Sequence, residues 1–257
     1  MEQQVQFVNA QGESLAGTLH QPEQSVVGGV VAGHCFTCSR HTGILRRICK
    51  DLSNAGFLVL RFDFSGNGQS QGRFEQSTWS KQIQEMELAV AWLQQQGVSW
   101  IGLAGHSLGA AIALVTASRL PRIAAVCRVA GRVSDARSMH FLTPPQQERL
   151  EEDGQVDFSS RGRQLTISSA FFDDAGRHDL IAATKTLQIP MLVVHGDHDE
   201  IIPVSEAYLA KSINPDMVQL SIVPGGNHML SGADHQQQVS RTVTEWFARQ
   251  AGLPRPE

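Results

Sequence analysis

The chain of 257 residues reads as an α/β protein with a mainly parallel, eight-stranded sheet covered by helices on both faces. Three observations predict this. Short apolar runs alternate along the chain with segments of helical period, the pattern of successive βα units. The chemistry-bearing residues fall just after such runs, where open α/β sheets place their sites. The composition, 41% hydrophobic and 18% charged, is that of a globular chain long enough for one large core.

The elements follow in order. Val5–Asn9 and Leu15–His20 read as an opening antiparallel hairpin. Strands are expected near 26–33, 57–63, 98–104, 123–130, 190–195 and 218–223. Thr78 to Gln96 is predicted to be a helix, because Trp79, Ile83, Met86, Val90 and Leu93 form one apolar stripe at helical spacing. That stripe is expected to pack in the core. Val239, Val243, Trp246 and Phe247 mark the last helix. One stretch breaks the rhythm. From Gly131 to Thr186 no βαβ unit is evident, and the segment carries Pro144-Pro145, a charged run from Glu148 to Asp153, and scattered bulky apolar residues. It is too long for a structureless loop, so the chain is expected to be one domain over 1–257 with an insertion at about 132–186.

Gly105-His106-Ser107-Leu108-Gly109 lies between an apolar run from Trp100 to Ala104 and another from Ala110 to Ala117. This is a G-x-S-x-G elbow in a strand–turn–helix context. The turn strains the serine backbone, and a Cβ at either glycine would crowd the neighbouring chain. A helix N-terminus behind the serine favours developing negative charge. Such a serine needs a base, and the base needs an acid to orient it. The acid is sought in Gly196-Asp197-His198-Asp199-Glu200, after the strand ending at His195. The base is sought in Gly225-Gly226-Asn227-His228, after the strand ending at Val223.

These residues resemble the α/β-hydrolase superfamily, whose members share an α/β-hydrolase fold with a lid. In that family the acid belongs to a G-x-x-D-x-x-[VI]-P segment, matched here by Gly196 through Pro203, which implies Asp199 rather than Asp197. The G-x-x-H loop implies His228, whereas the rival His235 lies inside the last helix and His106 is a packing residue. The loop Gly33-His34-Cys35-Phe36-Thr37-Cys38-Ser39 is similar to the His-Gly-Phe-Thr loop of cinnamoyl (feruloyl) esterases and monoglyceride lipases, with Cys35 in place of the glycine. The resemblance implies an oxyanion hole formed by the Phe36 and Leu108 N–H groups. The form His-Cys-Phe-Thr-Cys-Ser also resembles hydrolases associated with osmotically inducible peroxidase domains. Arg61 through Glu75 is similar to the R-x-D-x-x-G-x-G-x-S-x-G segment of these esterases, and Arg61 and Asp63 are expected to form an ion pair. The insertion matches the family's lid, so Phe141, Phe158, Phe171 and Phe172 are expected to line a substrate pocket.

The resemblance implies a serine hydrolase acting on a small carboxylic ester through Ser107, His228 and Asp199. A peptidase or aminopeptidase, with Glu151, Glu152 or Asp153 as amine anchor, is an alternative, as are a thioesterase and an acyltransferase. A non-catalytic ligand-binding member of the fold is less expected, since a binder has no need of all three residues. Net charge is −4, and no basic block points to nucleic acid. The start lacks a secretory pattern, and the longest apolar stretch falls short of the ~20 residues that span a bilayer. A cytoplasmic enzyme without stable membrane insertion is therefore expected. No feature specifies an oligomeric state. No cofactor and no metal are expected: Cys35-x-x-Cys38 lacks a second ligand pair, and Asp173, Asp174 and His178 suit a lid or helix-cap role. Free thiols are the expected default for Cys35, Cys38, Cys49 and Cys127. A Cys35–Cys38 disulfide would bracket Phe36 and is expected to turn its N–H away.

Overall fold

The computed structural model describes residues 1–253. The opening hairpin pairs β1 (Glu2–Val8) with β2 (Ser14–His20), and Phe7 stands opposite Leu15. β2 then lies antiparallel to β4 (Phe57–Phe62). The remaining strands are parallel: β3 (Gly28–Gly33), β5 (Ile101–His106), β6 (Ile123–Val129), β9 (Met191–Gly196) and β10 (Val218–Val223). The eight strands run in the order β1-β2-β4-β3-β5-β6-β9-β10. Every residue of β3, β4, β5 and β9 is buried, as expected of strands covered on both faces. The chain reverses direction across the sheet at β3, which pairs with β4 on one side and β5 on the other. This opens a crevice at the carboxyl ends of β3 and β5.

Helices α1 (Gly43–Asn54) and α8 (Ala233–Gln250) pack on one face. The other carries α2 (Trp79–Gln95), α3 (Leu108–Arg119), α6 (Leu180–Thr186) and α7 (Ser205–Ile213). The stripe foreseen in α2 is buried from Trp79 to Leu93, and Thr78 caps the helix by accepting from the Lys81 N–H. α3 is buried from Gly109 to Ala117 because it lies between the sheet, α2 and α6. On α8, Phe247 packs edge-on to Trp100 and against Phe57. Its ring covers Gly102, where a Cβ would stand 2.5 Å away.

The segment 132–186 holds more structure than its sequence disclosed. After α4 (Pro144–Asp153) come β7 (Gln155–Ser160) and β8 (Arg163–Ser168), which form a separate antiparallel hairpin, then α5 (Ser169–Ala175) and α6. Thr143 and Gln146 form a capping box at the start of α4. The hairpin turn places Arg161 at φ 52° and Gly162 at φ 73°, the two positive values that a two-residue primed turn requires. Val156, Phe158 and Ile167 face inward at alternate positions. Among the described residues no helix is long and apolar enough to cross a membrane.

Because Phe247 is fully buried between α8 and the sheet, Phe247→Ala should destabilise the fold by about 3–5 kcal/mol through lost burial and a residual cavity. A urea titration should show this as a lower midpoint at unchanged slope.

Candidate active site

Ser107 sits at the β5–α3 junction with φ 56° and ψ −116°, a conformation rare for a residue with a side chain. The two glycines of the elbow explain how it is tolerated. A Cβ on Gly105 would overlap the Gly109 carbonyl, and a Cβ on Gly109 would overlap the Gly33 carbonyl. Three backbones thus meet where β3, β5 and α3 converge. The Ser107 N–H is tied to the Val129 carbonyl at 2.9 Å. Its side chain makes no capping bond to α3 and lines a cavity of about 340 Å³.

The loops after β9 and β10 bring Asp199 and His228 to this serine. His228 Nε2 lies 3.1 Å from Ser107 Oγ, and His228 Nδ1 lies 2.9 Å from Asp199 Oδ2 and 3.1 Å from Oδ1. An Nδ1–H that donates to the carboxylate leaves Nε2 as the acceptor for the serine hydroxyl. Asp199 Oδ1 also accepts from the Ile201 and Ile202 N–H groups at 2.9 and 2.8 Å, and His195 Nε2 lies 3.2 Å from Oδ2. Burial pushes the Asp199 carboxyl upward, but the bonds from His195, His228 and Ile202 outweigh it and hold the group below the usual carboxylate range. Asp197 stands apart and accepts from the Gly225 N–H at 2.6 Å. His235 lies in the first turn of α8 beside Gly232. His106 is buried, and its Nε2–H donates to the His228 carbonyl at 2.9 Å.

The loop after β3 carries Phe36 to the cavity wall, beside Leu108 at the first position of α3. As a first-turn residue, Leu108 has an N–H without an intrahelical partner. Two expectations for this region are corrected. Asp63 pairs with Arg40, not Arg61: it accepts from the Arg40 guanidinium, from the Arg40 N–H at 2.6 Å and from the Gln69 N–H at 2.9 Å. Asp63 lies just beyond β4, so the strand pleat no longer holds it parallel to Arg61. Arg61 instead reaches Glu2 and His20 and donates to the Arg40 carbonyl. Secondly, Cys35 and Cys38 are joined in a disulfide, with Cα atoms 5.2 Å apart. A tight turn, closed by Cys38 N–H donating to the Cys35 carbonyl at 3.1 Å, brings them into the range a bridge can span. Phe36 still lines the cavity with the bridge closed. Cys49 and Cys127 are free and buried.

The cavity wall is aromatic on one side. The Phe36 ring is surrounded by Phe74, Phe141, Phe158 and Phe171, with centroids 5.0–6.2 Å away. Phe141, Phe158 and Phe171 line the cavity, but Phe172 does not. Neighbours on a helix diverge by about 100°, so Phe172 turns behind the wall and packs on Phe171 and Phe141. Trp79, Ile201 and Arg161 also line the cavity. Trp79, which the sequence pattern assigns to a core stripe, also reaches the cavity because it stands in the first turn of α2. Asp174 accepts from the Ser80 N–H at 2.6 Å and so caps α2 from across the fold, while His178 binds Ser80 and Arg119. Among the described residues no group of three or more His, Cys, Asp or Glu is arranged to hold a metal.

Comparison with known proteins agrees with this architecture. A family model described as serine aminopeptidase, S33, matches residues 29–152. A monoacylglycerol lipase of Mycolicibacterium smegmatis is 22% identical, over 94% of this chain and 95% of that protein. A mitochondrial palmitoyl-protein thioesterase of Mus musculus is 26% identical, over 74% of this chain and 64% of that protein. The esterase domain of a Rhodothermus marinus protein superposes with a TM-score of 0.78 at 26% identity, covering 97% of this chain and 98% of that one. Est1E from Butyrivibrio proteoclasticus, solved with ferulic acid, gives a TM-score of 0.84 at 22% identity, covering 96% and 99%, and shares the fold.

Two buried histidines make stability depend on pH. Burial and the Arg61 charge push His20 down to about 4; burial and His228 push His106 down to about 3. An unfolded histidine titrates near 6.5, so the unfolded chain binds protons that the folded one refuses. The stability these groups confer is complete above pH ~6.5 and is lost progressively as pH falls from there to about 4 for His20 and about 3 for His106, at about 1.4 kcal/mol per pH unit for each. Urea midpoints should therefore fall between pH 6.5 and 4. A flat profile would contradict the burial of these rings in neutral form.

Proposed function

We propose that this chain, a serine hydrolase of the esterase and lipase type with the α/β-hydrolase fold, cleaves a small carboxylic ester through an acyl-enzyme on Ser107. The observation that carries the reading is the contact of Ser107 Oγ with His228 Nε2 at 3.1 Å, with Asp199 on the far nitrogen. Ser107 Oγ attacks the ester carbonyl, and His228 Nε2 takes its proton. The tetrahedral oxyanion is held by the N–H groups of Phe36 and Leu108. His228 returns the proton to the leaving alcohol. Water then attacks the acyl group with His228 again as base, releasing the acid and restoring the serine. Asp199 holds the imidazole in the productive tautomer and stabilises its charged form.

The aromatic wall around Phe36 favours an acyl group that is flat or apolar. The segment 132–186 supplies Phe141, Phe158 and Phe171 to that wall and acts as the lid of the site. The aminopeptidase alternative gains little. Glu151, Glu152 and Asp153 are exposed on α4 and away from the cavity. The carboxylate at the wall is Asp135, within 3.7 Å of Arg132. A non-catalytic binder leaves the strained serine without a purpose. Turnover of p-nitrophenyl esters, cinnamate esters, acyl-thioesters and aminoacyl amides should rank the esters first. Preference for the amides would overturn the ester reading, and turnover of none would favour a binder.

Ser107→Ala should lower kcat on the best ester by at least about 10³-fold without loss of fold. Asp199→Asn should cost far more than Asp197→Asn, whose side chain serves a turn. Equal losses would move the acid to another residue. Phe141→Ala, Phe158→Ala and Phe171→Ala should each change the preference between acyl groups, a mismatch worth about 1–3 kcal/mol per methylene. Phe172→Ala should act on stability alone. Wild-type selectivity in all three wall variants would remove the lid from specificity.

A further inference from the structure

We propose that His34 is a positioning residue for the oxyanion hole, which sets the direction of the Phe36 N–H through the carbonyl of Cys35. The inference rests on the reading of Phe36 as an oxyanion donor. His34 directly follows β3 and is 1% exposed. The Phe64 N–H donates to its Nε2 at 3.0 Å. A backbone amide can only donate, so Nε2 carries the lone pair and Nδ1 carries the hydrogen. The Nδ1–H then donates to the Cys35 carbonyl at 2.7 Å. The tautomer of this ring is thus dictated by a neighbouring strand end. Phe64 also packs edge-on against it at 5.0 Å. Burial holds His34 below the usual histidine range, so the ring stays neutral and keeps its acceptor.

The geometry of the peptide group transmits this to the donor. The Cys35 carbonyl and the Phe36 N–H belong to one planar trans peptide, and no cis bond occurs among the described residues. In such a plane the C=O and N–H point in opposite directions. The Cys35 oxygen accepts from His34 Nδ1 and from Cys38 N–H, which occupy both of its lone pairs. Two donors from different directions fix the plane, and so the N–H at its other end. Bonds beyond Phe36 hold the rest of the loop: Thr37 Oγ1 lies 2.7 Å from Ser160 Oγ, and Arg163 donates to the Thr37 carbonyl at 3.3 Å. His34 is the side chain that grips the peptide itself. It touches no reacting atom and does not line the cavity.

Two substitutions separate this role from a purely structural one. His34→Asn can place an amide donor at the position of Nδ1, whereas His34→Gln can place an acceptor for Phe64 near the position of Nε2 and leaves the Cys35 carbonyl without its side-chain donor. Both should unfold at lower temperature. On the full chain and the best ester, His34→Gln should lower kcat by roughly 10- to 100-fold with KM within about threefold, below the full loss of an oxyanion donor. His34→Asn should recover most of that loss. Affinity for a boronic acid, which mimics the tetrahedral adduct, should fall with kcat, while affinity for the product carboxylate should not. A folded His34→Gln enzyme with wild-type kcat, or equal kcat in the two variants, overturns the inference. If Ser107→Ala abolishes turnover in the same assay, the reading of the site survives that outcome; if Ser107→Ala remains active, both fall.

Discussion

The close approach of three backbones at Gly33, Gly105 and Gly109 governs the geometry of this molecule. Any Cβ at Gly105 or Gly109 would overlap a main-chain carbonyl, so helix α3 can sit this near the sheet only with glycine at both positions. That contact forces the turn between β5 and α3 to be sharp and holds Ser107 at positive φ. It also sets α3 against the end of β3, and so beside the loop that carries Phe36. The strained serine, the free N–H at the start of α3 and the placing of the loop after β3 are three consequences of one packing constraint. The reversal of strand order at β3 supplies the space above them.

Around this centre several buried polar groups are held by fixed partners within the fold. The buried Arg40–Asp63 pair ties the far end of the loop after β3 to the segment after β4. A buried pair of this kind is costly to desolvate, and here the Gln69 N–H, Thr18 and Gln4 supply further bonds to its two members. Buried histidines at the ends of the strands do similar work near the candidate machinery: His34 on the Cys35 carbonyl, His106 on the His228 carbonyl, and His195 beside Asp199. All three sit within one residue of the carboxyl end of a strand, close to the loops that carry the candidate site.

Much of this was legible in the chain. The elbow is readable because its glycines and serine fall between two apolar runs. The helices α2 and α8 are readable because their stripes keep a helical period. The strand ends located the loops bearing Asp199 and His228 for the same reason. What stayed hidden depends on contacts between residues distant in sequence. Arg40 is 23 positions from Asp63, and nothing local distinguishes it from Arg61 as a partner. The β7–β8 hairpin alternates correctly, but its turn begins with Arg161, where asparagine, aspartate or glycine is the usual mark. Phe171 and Phe172 look equivalent in sequence and separate only once the direction of α5 is known. The disulfide depends on the tightness of one turn, which the spacing of the cysteines permits without requiring.

The relatives in view include esterases, a monoacylglycerol lipase and a palmitoyl-protein thioesterase, and this chain shares the fold of the solved esterase domain. In this chain the cavity wall is built from phenylalanines that meet at Phe36, so that on the proposed reading the oxyanion donor also anchors the surface the acyl group would touch. The central claim is that Ser107 is the nucleophile. The most direct measurement is to react the intact protein with an alkyl fluorophosphonate, digest it and locate the adduct by mass spectrometry. The account predicts one phosphonyl group per chain, on the peptide containing Ser107, with turnover lost in proportion to labelling. An unlabelled Ser107 in a protein that still hydrolyses esters would contradict it.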